Sequence, residues 1–76
     1  MKLALVDGKT LIKILNKKSF NVKRQKGSHV QLEDNAGRRV TVPIHTGREI
    51  GRGLLSKILR DAEISRDEYD KLRQEV

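Results

Sequence analysis

The sequence predicts a single α+β domain in which one helix precedes a three-stranded antiparallel sheet and two helices follow it. Apolar residues recur at helical spacing near both ends of the chain, and they alternate with polar residues in three short central segments. Glycine-containing turns separate these central segments. A chain of 76 residues can bury one core, so we expect one domain over residues 1–76.

The first helix is predicted to begin at Asp7, whose carboxylate can accept hydrogen bonds from the free N–H groups of the first turn. It should end between Asn16 and Ser19. Its apolar stripe consists of Leu11, Ile12, Ile14 and Leu15.

Alternating patterns predict strands over residues 20–24, 29–33 and 39–42, and Pro43 is expected to end the pairing. Three-residue loops over 25–27 and 35–37, each closing on a glycine, would connect them. This register keeps the apolar side chains on one face of the sheet. The pairs it predicts are Val22 with Val30, Phe20 with Leu32, Leu32 with Val40, Val30 with Val42, Glu33 with Arg39 and, on the polar face, Lys23 with His29.

A second helix is predicted through roughly residues 52–61, and a capping box at Ser65 and Glu68 should open a short third helix that buries Tyr69 and Leu72. The helices should cover the apolar face of the sheet and leave its polar face open. The apolar stripe of the second helix consists of Ile50, Leu54, Leu55, Ile58 and Leu59.

The charge of the chain points to a polyanionic partner. Lys and Arg number 17 against 10 Asp and Glu, which gives a net charge of +7. Nucleic acid is favoured over a membrane surface. No apolar stretch is long enough for a signal peptide or a membrane span, which favours the cytoplasm, and the absence of cysteine suits a reducing compartment.

Few residues qualify as chemical groups. His29 and His45 are the two histidines, and no third ligand at metal-binding spacing accompanies them, so no metal or other cofactor is expected. No phosphate-binding loop, catalytic triad or carboxylate cluster is evident. Judged only from the pattern of residues around them, His29 is interpreted as an exposed strand histidine without a role, and His45 as a loop histidine.

Four segments, in order along the chain, together resemble the HicA family. Residues 24–29 (RQKGSH) are similar to its strand-turn-GSH signature, and residues 42–45 (VPIH) to its VP-x-H segment. Residues 54–62 (LLSKILRDA) resemble its second helix, and residues 8–15 followed by Phe20 fit its opening.

The resemblance implies a fold similar to double-stranded-RNA-binding domains and the function of a type II toxin that cleaves messenger RNA without a metal. The family's catalytic histidine falls on His29, and the neutralising partner would be a HicB-type antitoxin. Candidate assisting residues are Lys23, Ser28 and His45. Candidate RNA-binding residues are Lys23, Arg24, Lys26, Arg48, Arg52 and Lys57.

The chain departs from the family pattern at two positions where a helix ends. Ser19 and Glu63 stand where the family often has glycine, which relieves left-handed backbone strain. We expect these departures to affect local stability and to leave the chemistry unchanged.

Two other functions fit the same charge and order of elements. One is a non-catalytic RNA-binding module of the same fold, which would not need the histidine of the GSH signature. The other is a protein-interaction domain whose basic face docks on an acidic partner, and an antitoxin would itself be such a partner. DNA reading is less favoured, because the exposed positions of the second helix offer no Asn or Gln for base contacts.

Overall fold

A computed structural model describes residues 3–76, so the first two residues of the predicted domain lie outside the described part of the chain. The order of elements confirms the predicted α+β class and matches the layout of double-stranded-RNA-binding domains. The elements are α1 (Gly8–Lys17), β1 (Asn21–Lys26), β2 (His29–Glu33), β3 (Arg39–Pro43), α2 (Arg52–Ala62) and α3 (Arg66–Glu75).

Helix α1 begins and ends as predicted. The Asp7 carboxylate accepts a hydrogen bond from the Thr10 N–H at 2.8 Å, and the hydrogen bonds from Thr10 lower the pKa of Asp7. At the other end Ser19 adopts a left-handed backbone with φ of 68°, and the Phe20 N–H donates to the Leu15 carbonyl at 3.0 Å. This is the geometry in which glycine is usually preferred, so the strain expected at Ser19 is present.

Helix α2 ends in the same way and is tied there to the sheet. Glu63 has a left-handed φ of 57°, and the Ile64 N–H donates to the Leu59 carbonyl at 2.9 Å. The Glu63 carboxylate accepts from Arg38 Nε at 2.7 Å, and the same guanidinium donates to Asp34 at 2.9 Å. Because Arg38 precedes β3, this contact shows that α2 ends where β3 begins, so the two elements run antiparallel.

The second hairpin confirms the predicted register. The sheet has the order β1-β2-β3, and both pairs are antiparallel. Asp34 and Arg38 flank the three-residue loop, where Gly37 has φ of 87°. The pairs are Val30 with Val42, Leu32 with Val40, Glu33 with Arg39 and Gln31 with Thr41.

The predicted register of the first hairpin is wrong. Lys26 pairs with His29, so the loop is the two-residue turn Gly27–Ser28, and Val22 pairs with Leu32 instead of Val30. The register near the turn and the register at Val22 differ by one residue, and a bulge between Val22 and Arg24 accommodates that residue. The prediction assumed that Val22 must be buried, but β1 extends beyond the helices and Val22 is 51% exposed. The observed register therefore costs no apolar burial at Val22.

Pro43 lies inside β3, opposite His29, although it was expected to end the pairing. The ladder continues through the Ile44 N–H, which donates to the Ser28 carbonyl at 2.6 Å. Residues 28 and 44 thus form a hydrogen-bonded pair. The next pair, His29 with Pro43, is therefore not hydrogen-bonded, and its backbone nitrogens point away from each other. The missing N–H of Pro43 faces the free edge of the sheet, where proline is tolerated.

The core fills the space between the sheet and the three helices. Tyr69 is fully buried, and its hydroxyl donates to the Ala4 carbonyl at 2.6 Å. Leu54, which was expected in the core, is instead 41% exposed. The buried apolar side chains include Leu11, Ile14, Leu15, Phe20, Val30, Leu32, Val40, Val42, Leu55, Ile58, Leu59 and Leu72.

The cap of α3 forms in part as predicted. The Glu68 N–H donates to the Ser65 hydroxyl at 3.1 Å, while the Glu68 carboxylate binds the Lys18 ammonium of α1. The contact joins α3 to α1. Within residues 3–76, none of the helices is both long and apolar enough to cross a membrane.

Candidate functional site

His29 lies at the start of β2 on the open face of the sheet, where its side chain is exposed. Its direct partner on β1 is Lys26, across the turn in which Gly27 has φ of 58°. A positive φ at the first turn position alone is typical of a type II′ turn, which requires glycine there. The predicted pairing of Lys23 with His29 is wrong, because the two-residue turn pairs His29 with Lys26 and leaves Lys23 three residues further along β1.

His29 also borders a groove between β3 and α2. Its partner on β3 is Pro43, and the two side chains approach closely because this pair is not hydrogen-bonded. The groove has a volume of about 340 Å³, and Leu54 and Lys57 of α2 line its other side. Thr41 contributes a hydroxyl from the middle of β3.

The groove ends in an ion pair on α2. Lys57 Nζ donates to Asp61 Oδ2 at 2.8 Å, one helical turn away. The hydrogen bond from Lys57 lowers the pKa of the Asp61 carboxyl, which therefore stays ionised near neutral pH. Lys57 was predicted to contact RNA, but its charge is already paired.

Lys23 and Arg24 lie in a different groove of about 410 Å³, together with Gln31 and Glu33. Arg39 borders both grooves, and its guanidinium donates to Glu33 at 2.6 Å. Arg24 pairs with Gln31, two residues beyond His29 on the same face of the sheet, while Lys23 lies at the bulge.

His45 lies near the beginning of α1, in a cavity of about 90 Å³ with Asp7, Gly8 and Lys9. The helix approaches this loop very closely: a Cβ at Gly8 would lie 2.3 Å from the Pro43 carbonyl oxygen. The two histidines therefore occupy separate cavities.

Ser28 occupies the second position of the turn before His29 and is partly buried. Its backbone carbonyl holds the end of β3 through Ile44. In this arrangement Ser28 fixes the strand that carries Pro43 against His29.

Cations and ion pairs are distributed unevenly around the molecule. Acidic side chains near the β2–β3 turn and the end of α2 are neutralised by Arg38, Arg39 and Lys57. Five of the six predicted RNA-binding residues, all except Lys57, form no ion pair within residues 3–76. They are Lys23, Arg24, Lys26, Arg48 and Arg52, and all five are exposed.

The described residues offer neither an exposed Phe, Tyr or Trp ring for stacking nor a cluster of side chains for a metal ion. Phe20 and Tyr69, the aromatic residues of the chain, are both buried in the core. Within residues 3–76, no three His, Asp or Glu side chains come close enough together to hold a metal ion.

Sequence reasoning missed the part of the groove that α2 supplies. Leu54 was assigned to the core and Asp61 to no role, yet both line the groove beside His29. One signal was available: Leu54 directly precedes Leu55, and consecutive helical residues point about 100° apart, so both cannot centre on the same core. Only Leu55 is buried.

Comparison with known proteins identifies the family. The sequence model of the HicA toxin of bacterial toxin–antitoxin systems matches residues 8–64, which include all three strands, α1 and α2. A search of curated proteins finds no match. The matched range covers well over half of the chain and contains His29, so the chain belongs to the HicA family of toxins from bacterial toxin–antitoxin systems.

Proposed function

We propose that this chain is an endoribonuclease that cleaves messenger RNA without a metal ion and that His29 is its general acid–base group. The observation that carries the proposal is the position of His29, which is exposed on the open face of the sheet directly opposite the unpaired cation Lys26. Membership of a toxin family and the net charge of +7 support a polyanionic target.

The chemistry requires little beyond a positioned histidine. RNA carries its own nucleophile, the 2′-hydroxyl, which attacks the adjacent phosphorus once its proton is removed. The His29 imidazole takes that proton or donates one to the departing 5′-oxygen, and such proton transfer accelerates a reaction about 10²–10⁴-fold. Lys26 binds a non-bridging phosphate oxygen and stabilises its charge.

RNA binding in this proposal is spread over the five unpaired cations. Contacts of this kind hold the phosphate backbone and carry little sequence information. Both aromatic side chains are buried, so bases do not stack on Phe20 or Tyr69.

The antitoxin of the system is the second partner. A toxin of a toxin–antitoxin pair requires a neutralising protein, and we assign a HicB-type antitoxin to this role. An acidic surface on that protein would complement the cations around His29 and compete with RNA for them.

The test compares the wild type with His29→Ala and His45→Ala on a long messenger RNA in EDTA, after circular dichroism has shown that all three proteins fold. We expect His29→Ala to lose about 10²-fold or more of the cleavage rate while it binds RNA like the wild type. Undiminished cleavage by His45→Ala would remove His45 from the reaction.

Two results would contradict the proposal. If wild type and His29→Ala cut equally, His29 is not the catalytic group. If neither protein cuts but both bind RNA, the chain is the non-catalytic RNA-binding module that the same fold also allows.

A further inference from the structure

Leu54 is an apolar side chain with no role in the core. Exposed large apolar side chains in residues 3–76 are Val22, Leu54 and Val76, and of these Leu54 alone lines the groove that contains His29. It is 41% exposed in a helix whose neighbouring surface is charged.

The position of Leu54 is fixed by the packing of α2. Leu55, Ile58 and Leu59 are all buried, so a rotation that buried Leu54 would expose at least one of them. The contact between Glu63 and Arg38 holds the far end of the same helix against the sheet. Leu54 is therefore a pre-formed part of the groove wall.

The opposite wall is rigid as well. Pro43 has a fixed backbone φ and sits within β3, and the imidazole of His29 lies beside it. The apolar part of the groove thus has Leu54 on one side and the Pro43 ring with His29 on the other.

Polar groups follow the apolar walls along the groove. Leu54, Lys57 and Asp61 are spaced by three and four residues, so they lie in one row on α2. Lys57 presents N–H donors, Asp61 an ionised carboxylate and Thr41 a hydroxyl. The volume of about 340 Å³ falls at the lower end of the range for small-molecule sites, roughly 300–1,000 Å³.

We propose that this groove is a subsite for one nucleobase of the RNA strand, the base next to the phosphate that His29 acts on. The base inserts its face between Leu54 and Pro43, and its polar edge reaches Thr41 and the Lys57–Asp61 pair. The inference rests on the proposed ribonuclease function and adds a contact with a base to a surface that otherwise binds phosphates.

A base fits this groove better than an apolar side chain of a protein partner. The unpaired cation Lys26 lies directly across from His29, which borders the groove, so it can position a phosphate there. The donor–acceptor pair of Lys57 and Asp61 at the groove's end matches the polar edge of a base, whereas a purely apolar side chain would leave that pair without new partners.

The experiment uses short single-stranded oligoribonucleotides with 2′-O-methyl groups, which keep every base and phosphate but lack the nucleophilic hydroxyl. A matched series replaces one nucleotide at a time with an abasic residue. Binding to the wild-type chain is followed through the methyl NMR signals of Leu54, with Val22 as the exposed apolar control on β1.

We expect the Leu54 methyl signals to shift with the intact oligonucleotide and to shift much less when one particular base is missing. Val22 adjoins the proposed phosphate-binding residues Lys23 and Arg24, so any shift of its signals should not depend on which base is missing. Leu54→Ala should weaken binding about fivefold, the lower end for loss of contact with one base. Val22→Ala should bind like the wild type, and neither variant should change the salt dependence, since no phosphate contact is lost.

The inference is overturned if the Leu54 signals ignore the RNA, respond equally to every abasic position, or if Leu54→Ala binds as tightly as Val22→Ala. If the Leu54 methyl signals shift with the antitoxin but not with RNA, the groove is a protein-docking site. Cleavage of unmodified RNA decides the ribonuclease proposal separately, because the methylated strands report binding without chemistry.

Discussion

Lys26 lies directly across the antiparallel pair from His29, separated from it in the chain by a two-residue turn. Directly opposite residues project from the same face of a sheet, so the ammonium and the imidazole share the open side of the molecule. Lys23 lies three residues further along β1, at the bulge between Val22 and Arg24.

The first prediction separates the two lysines of β1. We expect Lys26→Ala to lower the cleavage rate about tenfold or more, because it removes a charge-assisted hydrogen bond to the reacting phosphate. Lys23→Ala has the same change of charge in the same strand and should cost about threefold or less. Single-turnover cleavage of one RNA by both variants measures the difference, and a larger loss in Lys23→Ala would contradict the observed register.

The second prediction concerns salt. If five unpaired cations contact single-stranded RNA, log Kd should rise with log salt concentration with a slope of about 3.5. Arg52→Ala should reduce that slope by about 0.7. Lys57→Ala should leave it unchanged, because Lys57 is already paired with Asp61. Fluorescence anisotropy over a salt series provides the slopes, and a flat response in the wild type would exclude binding through phosphates.

The third prediction concerns the close contact between α1 and β3. Gly8→Ala places a Cβ 2.3 Å from the Pro43 carbonyl oxygen, so the backbone must move. Overpacking of this kind costs about 1–3 kcal/mol of unfolding free energy. Gly53→Ala is the matched control, since a Cβ there meets no atom within 4 Å. It should stabilise α2 by about 0.5–1 kcal/mol. Urea unfolding tests whether Gly8→Ala lowers the free energy of unfolding and Gly53→Ala raises it.

The fourth prediction concerns acid. The Arg38 hydrogen bond lowers the pKa of Glu63; at Asp34, partial burial opposes the shift, but hydrogen bonds from Arg38 and the loop backbone outweigh it. Both carboxyls have folded pKa values below their unfolded values, which are about 3.9 for Asp34 and about 4.3 for Glu63. Their contribution to stability is complete above those unfolded values and is lost as the pH falls through the lower folded values.

Arg38→Gln should therefore flatten the decline of stability below about pH 4.3. Lys71→Gln changes the net charge equally, at an exposed site on α3, and should keep the wild-type pH profile. Thermal unfolding from pH 6 to pH 2.5 compares the two. Identical profiles for Arg38→Gln and the wild type would show that the ion pairs contribute nothing in solution.

Patterns local to a segment predicted most of the secondary structure. The carboxylate of Asp7 and the hydroxyl of Ser65 satisfy helix N-termini within three residues, so their roles can be read from adjacent positions. The second hairpin was also predictable, because Val30 and Leu32 face the core and a slip by one residue would expose both.

The catalytic assignment came from a resemblance and not from the pattern of residues around His29. An exposed histidine on a strand has no local feature that separates a reactive group from a bystander. The family match supports the resemblance over residues 8–64, and the role of His29 itself stays a prediction.

By itself, the sequence determined the class of fold, the order of its elements, the second hairpin and the basic character of the surface, since each depends on composition or on neighbours within a few positions. The tertiary structure decided the rest. Whether Val22 was buried depended on how far the helices reach across the sheet. Because Val22 is exposed, the two-residue turn that brings Lys26 to His29 costs no core burial there. The groove beside His29 exists because the burial of Leu55, Ile58 and Leu59 packs α2 along β3, and Leu54 is left on its rim.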